Sequence, residues 1–211
     1  KKFPLIASLL SLLVTFTPAN ADVKVVTSIK PIHSLASYLM DGVGKPDLIV
    51  DGYASPHGFA LKPSHAKMLQ NADLIFWVGE DLENFLEKPL KSIAKKAEKI
   101  ELMEIKGLKK LEFRERNIFE GHDDHGHDEH KEHGHKEDKH DDHHEHAHGE
   151  HDPHIWLDPM NAKVILSEMA EHLIEKDQEN ASKYKANLKK AHKDLDKLTK
   201  KVKSELNKDF K

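Results

Sequence analysis

Imidazole suits zinc, copper, nickel and cobalt, and neighbouring carboxylates add negative charge to such sites. The chain spreads its histidines unevenly: of 18, 13 fall in GHDDHGHDEHKEHGHKEDKHDDHHEHAHGEHDPHIWLDP, residues Gly121 to Pro159. The repetitive part offers His122, His125, His127, His130, His133, His135, His140, His143, His144, His146, His148 and His151 as accessory metal ligands. The pairs His125/His127, His133/His135 and His146/His148 can each bring two rings to one ion in an extended segment. A segment without fixed shape must be ordered at every binding event, so moderate affinity and loose stoichiometry are expected of it.

Two histidines stand in different text. His57 lies in DGYASPHGFALKPS and His154 in DPHIWLDP, each in a short Pro-containing loop beside bulky apolar residues. Those neighbours are Phe59 and Leu61 for one, and Ile155, Trp156 and Leu157 for the other. Such surroundings are expected to fix ring orientation and lower the local dielectric, as a preformed metal site requires. His33 reads as a partly buried structural histidine, and His65, His172 and His192 as solvated residues among Lys, Glu and Asp. No HExxH or GxSxG occurs, and no acid is placed by spacing beside His57 or His154. A metallohydrolase would need a general base there, so the reading is not an enzyme. With no cysteine in the chain, thiolate zinc sites and disulfides are both ruled out.

The elements that would position these residues follow an α/β alternation. Val23 to Thr27 is a β-branched run, and Ser28 is the expected cap of a helix with Pro31 in its first turn. That helix would bury Ile32, Leu35, Ala36, Leu39 and Met40. Leu48 to Val50 is a second short strand, and Leu61 to Asn71 a short helix. Leu74 to Val78 is continuously apolar, as a strand covered on both faces should be. Asp81 to Ala97 reads as helix with a break near Pro89, and Ile100 to Met103 as a fourth strand. Asp158 and Pro159 look like the cap and first residue of a further helix, with Ala162, Ile165, Leu166, Met169, Ala170, Leu173 and Ile174 on one face. From near Asn180, Tyr184, Leu188, Ala191, Leu195, Leu198, Val202 and Leu206 mark a long second helix. Short strands alternating with helices predict a parallel sheet flanked by helices.

Charge separates the regions. The chain has a formal net charge of -4, yet Glu120 to Asp152 alone holds 13 acids and three lysines. The remaining basic excess reads as solvated Lys-rich helices, a poor nucleic-acid footprint. Lys1 and Lys2, the Leu-rich run Phe3 to Phe16 and Ala19-Asn20-Ala21 match an export signal cleaved before Asp22. The division expected is 1–21 signal peptide, 22–119 N-terminal α/β lobe, 120–152 disordered His/acid-rich loop, 153–178 the rest of the lobe, and 179–211 a long connecting helix. Without a cysteine at the mature start there is no lipid anchor of the lipoprotein type, and a soluble exported monomer is expected.

Read together, VVTSIKPIHSLASYLMDGVG, DGYASPHGFALKPSHAKMLQNADLIFWVGEDLENFL, the acidic His-rich insert and HDPHIWLDPMNA resemble the zinc-binding proteins of high-affinity zinc ABC importers, the ZnuA type of the cluster A-I solute-binding proteins. The resemblance runs from Val25 to the final helix. It implies two α/β lobes joined by a long rigid helix, zinc in the cleft between them, periplasmic location and delivery to a membrane permease. His57 and His154 match the two N-lobe ligands. The remaining ligands, a third histidine or a carboxylate, belong to a second lobe that this chain does not include. On that reading the chain is a C-terminally truncated fragment with half a site and weak zinc binding. Some members carry an acid just before the first histidine, where this chain has Pro56. The nearest alternatives are a manganese or iron carrier of the same fold, and a periplasmic metal buffer in which the loop is the main function.

Overall fold

The computed structural model describes residues 23–112 and 151–209. The expected export signal and the loop histidines His122 to His148 lie outside the described residues. Four strands form one sheet: β1 (Val25–Ile29), β2 (Asp47–Val50), β3 (Leu74–Trp77) and β4 (Glu98–Glu101). All neighbours are parallel, in the order β2-β1-β3-β4. Every residue of β1 and β3 is buried, so both faces of the central strands are covered. The helices are α1 (Lys30–Leu39), α2 (Pro63–Asn71), α3 (Glu80–Ser92), α4 (Pro159–Lys176) and α5 (Ala181–Asp209). The α/β class and the long final helix are as the sequence implied.

Several boundaries moved, each for a tertiary reason. β1 runs on to Ile29 because that residue pairs with Val50, so Ser28 is a buried strand residue and Ile29 takes the cap position. α3 ends at Ser92 rather than Ala97, and its non-helical residue is Glu83, not the neighbourhood of Pro89. β4 starts earlier than expected because Glu98 to Glu101 pair in register with Leu74 to Trp77, and Leu102–Glu104 is a short 3-10 turn.

α1, α4 and α5 pack on one another, and α5 also finishes α1. Asn187 Nδ2 donates to the carbonyls of Leu39 (2.8 Å) and Asp41 (2.9 Å), and Lys183 Nζ donates to that of Gly42 (3.1 Å). These bonds satisfy carbonyls that a helix end leaves without intrahelical partners. The predicted apolar face of α5 divides along its length. Tyr184 and Ala191 are buried and Leu188 and Leu195 pack partly on the core, but Leu198, Val202 and Leu206 are about half exposed. α5 outruns α4, and among the described residues nothing covers that end.

Candidate functional site

In an open α/β sheet, ligands bind outside the carboxyl ends of the strands, where the connecting loops converge. Here that end carries a cleft of about 280 Å³ lined by Ile29, Lys30, Pro31, Val50, Gly52, Ala54, Pro56, His57, His154 and Trp156. Ile29 and Val50 are the last residues of β1 and β2, so the cleft sits directly above those strands. His57 comes from the β2–α2 loop, where its N–H donates to Ser55 Oγ (3.2 Å). Gly58 follows with φ +99°, a left-handed conformation that lets the chain turn away just after the ring.

His154 is set by different means. Pro153 before it and Ile155 after it are buried, and Ile155–Leu157 forms one 3-10 turn leading into α4. Asp158 caps that helix, with its Oδ1 accepting from Met160 N–H (2.8 Å), and Pro159 fills the first helical position as predicted. The His154 ring lies against Trp156, with ring centroids 5.3 Å apart.

The fold brings His57 and His154 together, with ring centroids 6.2 Å apart and planes at 43°. Zinc–nitrogen bonds of about 2.0–2.1 Å put each ring centroid roughly 3.2 Å from a shared ion. Two such centroids are then about 5.2 Å apart at the tetrahedral angle and about 6.4 Å at the linear limit. The observed 6.2 Å lies near the linear limit, about 1 Å wider than tetrahedral zinc requires, so the rings must close by about that much to share an ion. Among the described residues, neither ring nitrogen of His57 nor Nε2 of His154 has a hydrogen-bond partner. Lys30, the cation at the cleft, is turned to its rim: its Nζ donates to Gly52 carbonyl (2.7 Å) and lies 3.9 Å from Asp51.

One expectation for these rings fails. Both are exposed: Ile155 is buried and Phe59 packs on Phe85 and His65, Leu157 is itself exposed, and Trp156 alone of the named apolar neighbours is seen against a ring, that of His154. A second expectation is also corrected, since an acid does stand beside His154. Asp152 Oδ1 lies 2.6 Å from His154 Nδ1 and accepts the His154 N–H at 3.0 Å. These bonds, led by the backbone N–H, hold the Asp152 carboxyl below its usual range. The readable signal was Asp-Pro-His, an acid two residues before the ring with a rigid residue between them. Asp152 is itself anchored, its N–H donating to Leu111 carbonyl (2.7 Å), while His151 bridges antiparallel to Glu112.

Behind the cleft lies a buried acid. Glu83 Oε2 accepts the N–H groups of Val78 (2.7 Å) and Gly79 (3.1 Å), just past the end of β3. Burial pushes its carboxyl up to about 7, against the pull of the nearby Ser28 hydroxyl and of the Gly79 and Val78 N–H groups, and with a further upward push from Glu101.

The other histidines are more engaged than expected, apart from His33. His33 is half-buried with Nε2 3.1 Å from Pro46 carbonyl, as predicted. His65 is buried, its Nδ1 accepting the Lys62 N–H (3.1 Å) at the start of α2, and burial, then Lys62, holds its pKa down. His192 bridges to α4, with Nε2 3.1 Å from Lys163 carbonyl. His172 sits edge-on to Phe76 and contacts Glu98 (2.7 Å) and Glu168 (3.4 Å). His65, His172 and His192 differ from expectation because one partner of each, Lys62, Glu98 and Lys163, comes from another element or from across a helix start.

Glu98, His172 and Glu175 come close enough to hold an ion. That cluster already has a cation, since Lys176 Nζ pairs with Glu98 Oε2 at 3.0 Å. The Lys176 hydrogen bond is the main reason the Glu98 carboxyl is held down. A larger groove of about 640 Å³ between α2 and the end of α3 has only Lys67 and Lys95 as charged lining and no metal-ligating side chain.

A family model described as zinc-uptake complex component A, periplasmic (ZnuA), matches residues 25–209. The chain belongs to the ZnuA family. It is 48% identical over 193 residues to the high-affinity zinc uptake system protein ZnuA of Brucella abortus, covering 86% of this chain and 58% of that one. It is 39% identical over 192 residues to the protein of the same description from Paracoccus denitrificans, covering 90% and 59%. The chain thus spans less than two thirds of the length of these ZnuA relatives. Among solved structures, a Mn-bound periplasmic metal binding protein from Candidatus Liberibacter asiaticus aligns with TM-score 0.65 at 21% identity, over 88% of this chain and 57% of that one. The Zn(II)-bound ZnuA-like domain of Streptococcus pneumoniae AdcA aligns with TM-score 0.61 at 17% identity, over 85% and 54%. At these identities the likeness is one of fold.

Proposed function

We propose that this ZnuA-family chain captures zinc in the periplasm through His57 and His154 and hands it to the membrane permease of a zinc ABC importer. The observation that carries the reading is the pair of exposed rings 6.2 Å apart above β1 and β2, with Nε2 of His154 and both nitrogens of His57 unengaged among the described residues. The zinc-uptake relatives, at up to 48% identity, support the choice of metal, and the family's description as one component of a zinc-uptake complex supports a membrane partner. The acidic histidine run, His122 to His151, acts as an accessory collector that raises zinc near the cleft. The protein works as a soluble monomer and catalyses no reaction. Two imidazoles leave a zinc shell short of its four ligands, so water or groups beyond these residues complete it and binding by this chain alone is weak.

Equilibrium dialysis against zinc tests this on three proteins: the chain, a variant lacking residues 121–150, and that variant with His57→Ala and His154→Ala. The loop deletion should remove several loosely bound equivalents and keep one weak one. The two substitutions should then abolish it. Metal binding needs neutral imidazole, so retention should fall as the solution is acidified. Tight one-to-one binding that survives loss of both histidines would refute the assignment, and preference for manganese over zinc would replace the cargo.

A further inference from the structure

We infer that Asp152 is the positioning residue of this site: it fixes His154 in the tautomer that presents Nε2 to the metal. The inference rests on His154 being a ligand. An ionised carboxylate can only accept hydrogen bonds. With Asp152 Oδ1 2.6 Å from Nδ1, the neutral ring must carry its proton on Nδ1, which leaves the lone pair on Nε2. The same oxygen accepts the His154 N–H at 3.0 Å, so ring and backbone are gripped together.

The grip has a rigid base. Pro153 between the two residues is buried, and Asp152 N–H is bonded to Leu111 carbonyl at 2.7 Å. Trp156 closes the other side of the ring, with centroids 5.3 Å apart. His57 has no comparable acid among the described residues, so the two rings of the site are not equivalent. His154 is the pre-set ligand, and His57, exposed on the β2–α2 loop, is the one that must adjust. An outer carboxylate also makes a ligating imidazole more basic, and its loss commonly weakens metal affinity by about 10–100-fold.

The test reads His154 itself, so the loop histidines do not obscure it. Long-range ¹H–¹⁵N correlation spectra of the 211-residue chain, at mildly alkaline pH, report the tautomer of each histidine. Loss of signals in His154→Gln identifies the His154 peaks. The expected result is the Nδ1–H form in the native chain and a shift toward the Nε2–H form in Asp152→Ala. Asp152→Asn, whose amide oxygen can accept the same two bonds, should restore the native form. In a zinc titration, the midpoint at His154 should move to about tenfold or more higher zinc in Asp152→Ala, with most of the loss recovered in Asp152→Asn. An unchanged tautomer in Asp152→Ala, or a zinc midpoint within twofold of native, overturns the inference. A native Nδ1–H form that zinc never perturbs instead removes His154 as a ligand, which separates failure of the site from failure of its support.

Discussion

His154 and His172 stand at opposite ends of one sheet, His154 just before α4 and His172 near the far end of that helix. At the carboxyl end, His154 meets Asp152 on one nitrogen and leaves the other to a cleft it shares with His57. At the amino end, His172 contacts Glu98 on one nitrogen and Glu168 on the other, and Lys176 neutralises Glu98. The acids follow the same division. Glu83, behind the carboxyl end, is buried without a cation and its carboxyl is pushed up to about 7, whereas Glu98 is held below its ordinary value. Both ends are rich in His and acid. Among the described residues, what differs is how far other charges already face these groups: at the amino end Glu98 faces both His172 and Lys176, whereas at the carboxyl end three imidazole nitrogens have no partner.

The largest expected effect concerns Glu83. Its folded pKa lies above its unfolded value, so the native state binds the extra proton between about pH 4.5 and 7. Stability from this group is fully present below that window and is lost as pH rises through it, by about 3 kcal/mol in all. Glu83→Gln removes the term. Denaturant midpoints of the two proteins should therefore diverge from pH 5 to pH 8, with the variant gaining. Parallel curves would mean that backbone hydrogen bonds outweigh burial.

Next comes Gly79→Ala, beside the same acid. Gly79 has φ +155°, and an added Cβ would lie 2.9 Å from Glu101 Oε1 and 3.3 Å from Met103 Cγ. A loss of about 1–3 kcal/mol in chemical denaturation is expected. A neutral result would show that the Glu101 side chain swings clear.

Two smaller effects sharpen the contrast at the amino end. Lys176→Ala should cost no more than about 1 kcal/mol, as partly exposed ion pairs do. It should also free Glu98, His172 and Glu175 to take up zinc weakly, seen as a new perturbation of the His172 ring. Absence of that gain would show that something other than Lys176 keeps the cluster from metal. His172→Ala should cost about 1 kcal/mol or less and leave cleft zinc binding unchanged; a matching loss of zinc would merge the two ends into one functional unit.

Local signals were legible in the sequence. Asp158-Pro159 marked the start of α4, the apolar run at Leu74 to Trp77 gave a central strand, and the Pro-containing loops singled out His57 and His154. Contacts between distant segments were not legible. Glu98 and His172 meet only once β4 joins the sheet and α4 packs across it. Ser28 is a strand residue because Ile29 pairs with Val50, a register no local propensity encodes. Asp152 is the instructive miss: it was counted with the acids of the repetitive run, and only its geometry separates it as a partner of His154.

One ion is expected between His57 and His154 at the carboxyl end of the sheet and none at His172 at the amino end. The direct measurement follows the rings of His57, His154 and His172 in one zinc titration of the 211-residue chain by ¹⁵N spectroscopy. The account predicts that His57 and His154 shift together with a single midpoint while His172 stays unmoved. Separate midpoints for His57 and His154, or a first response at His172, would contradict it.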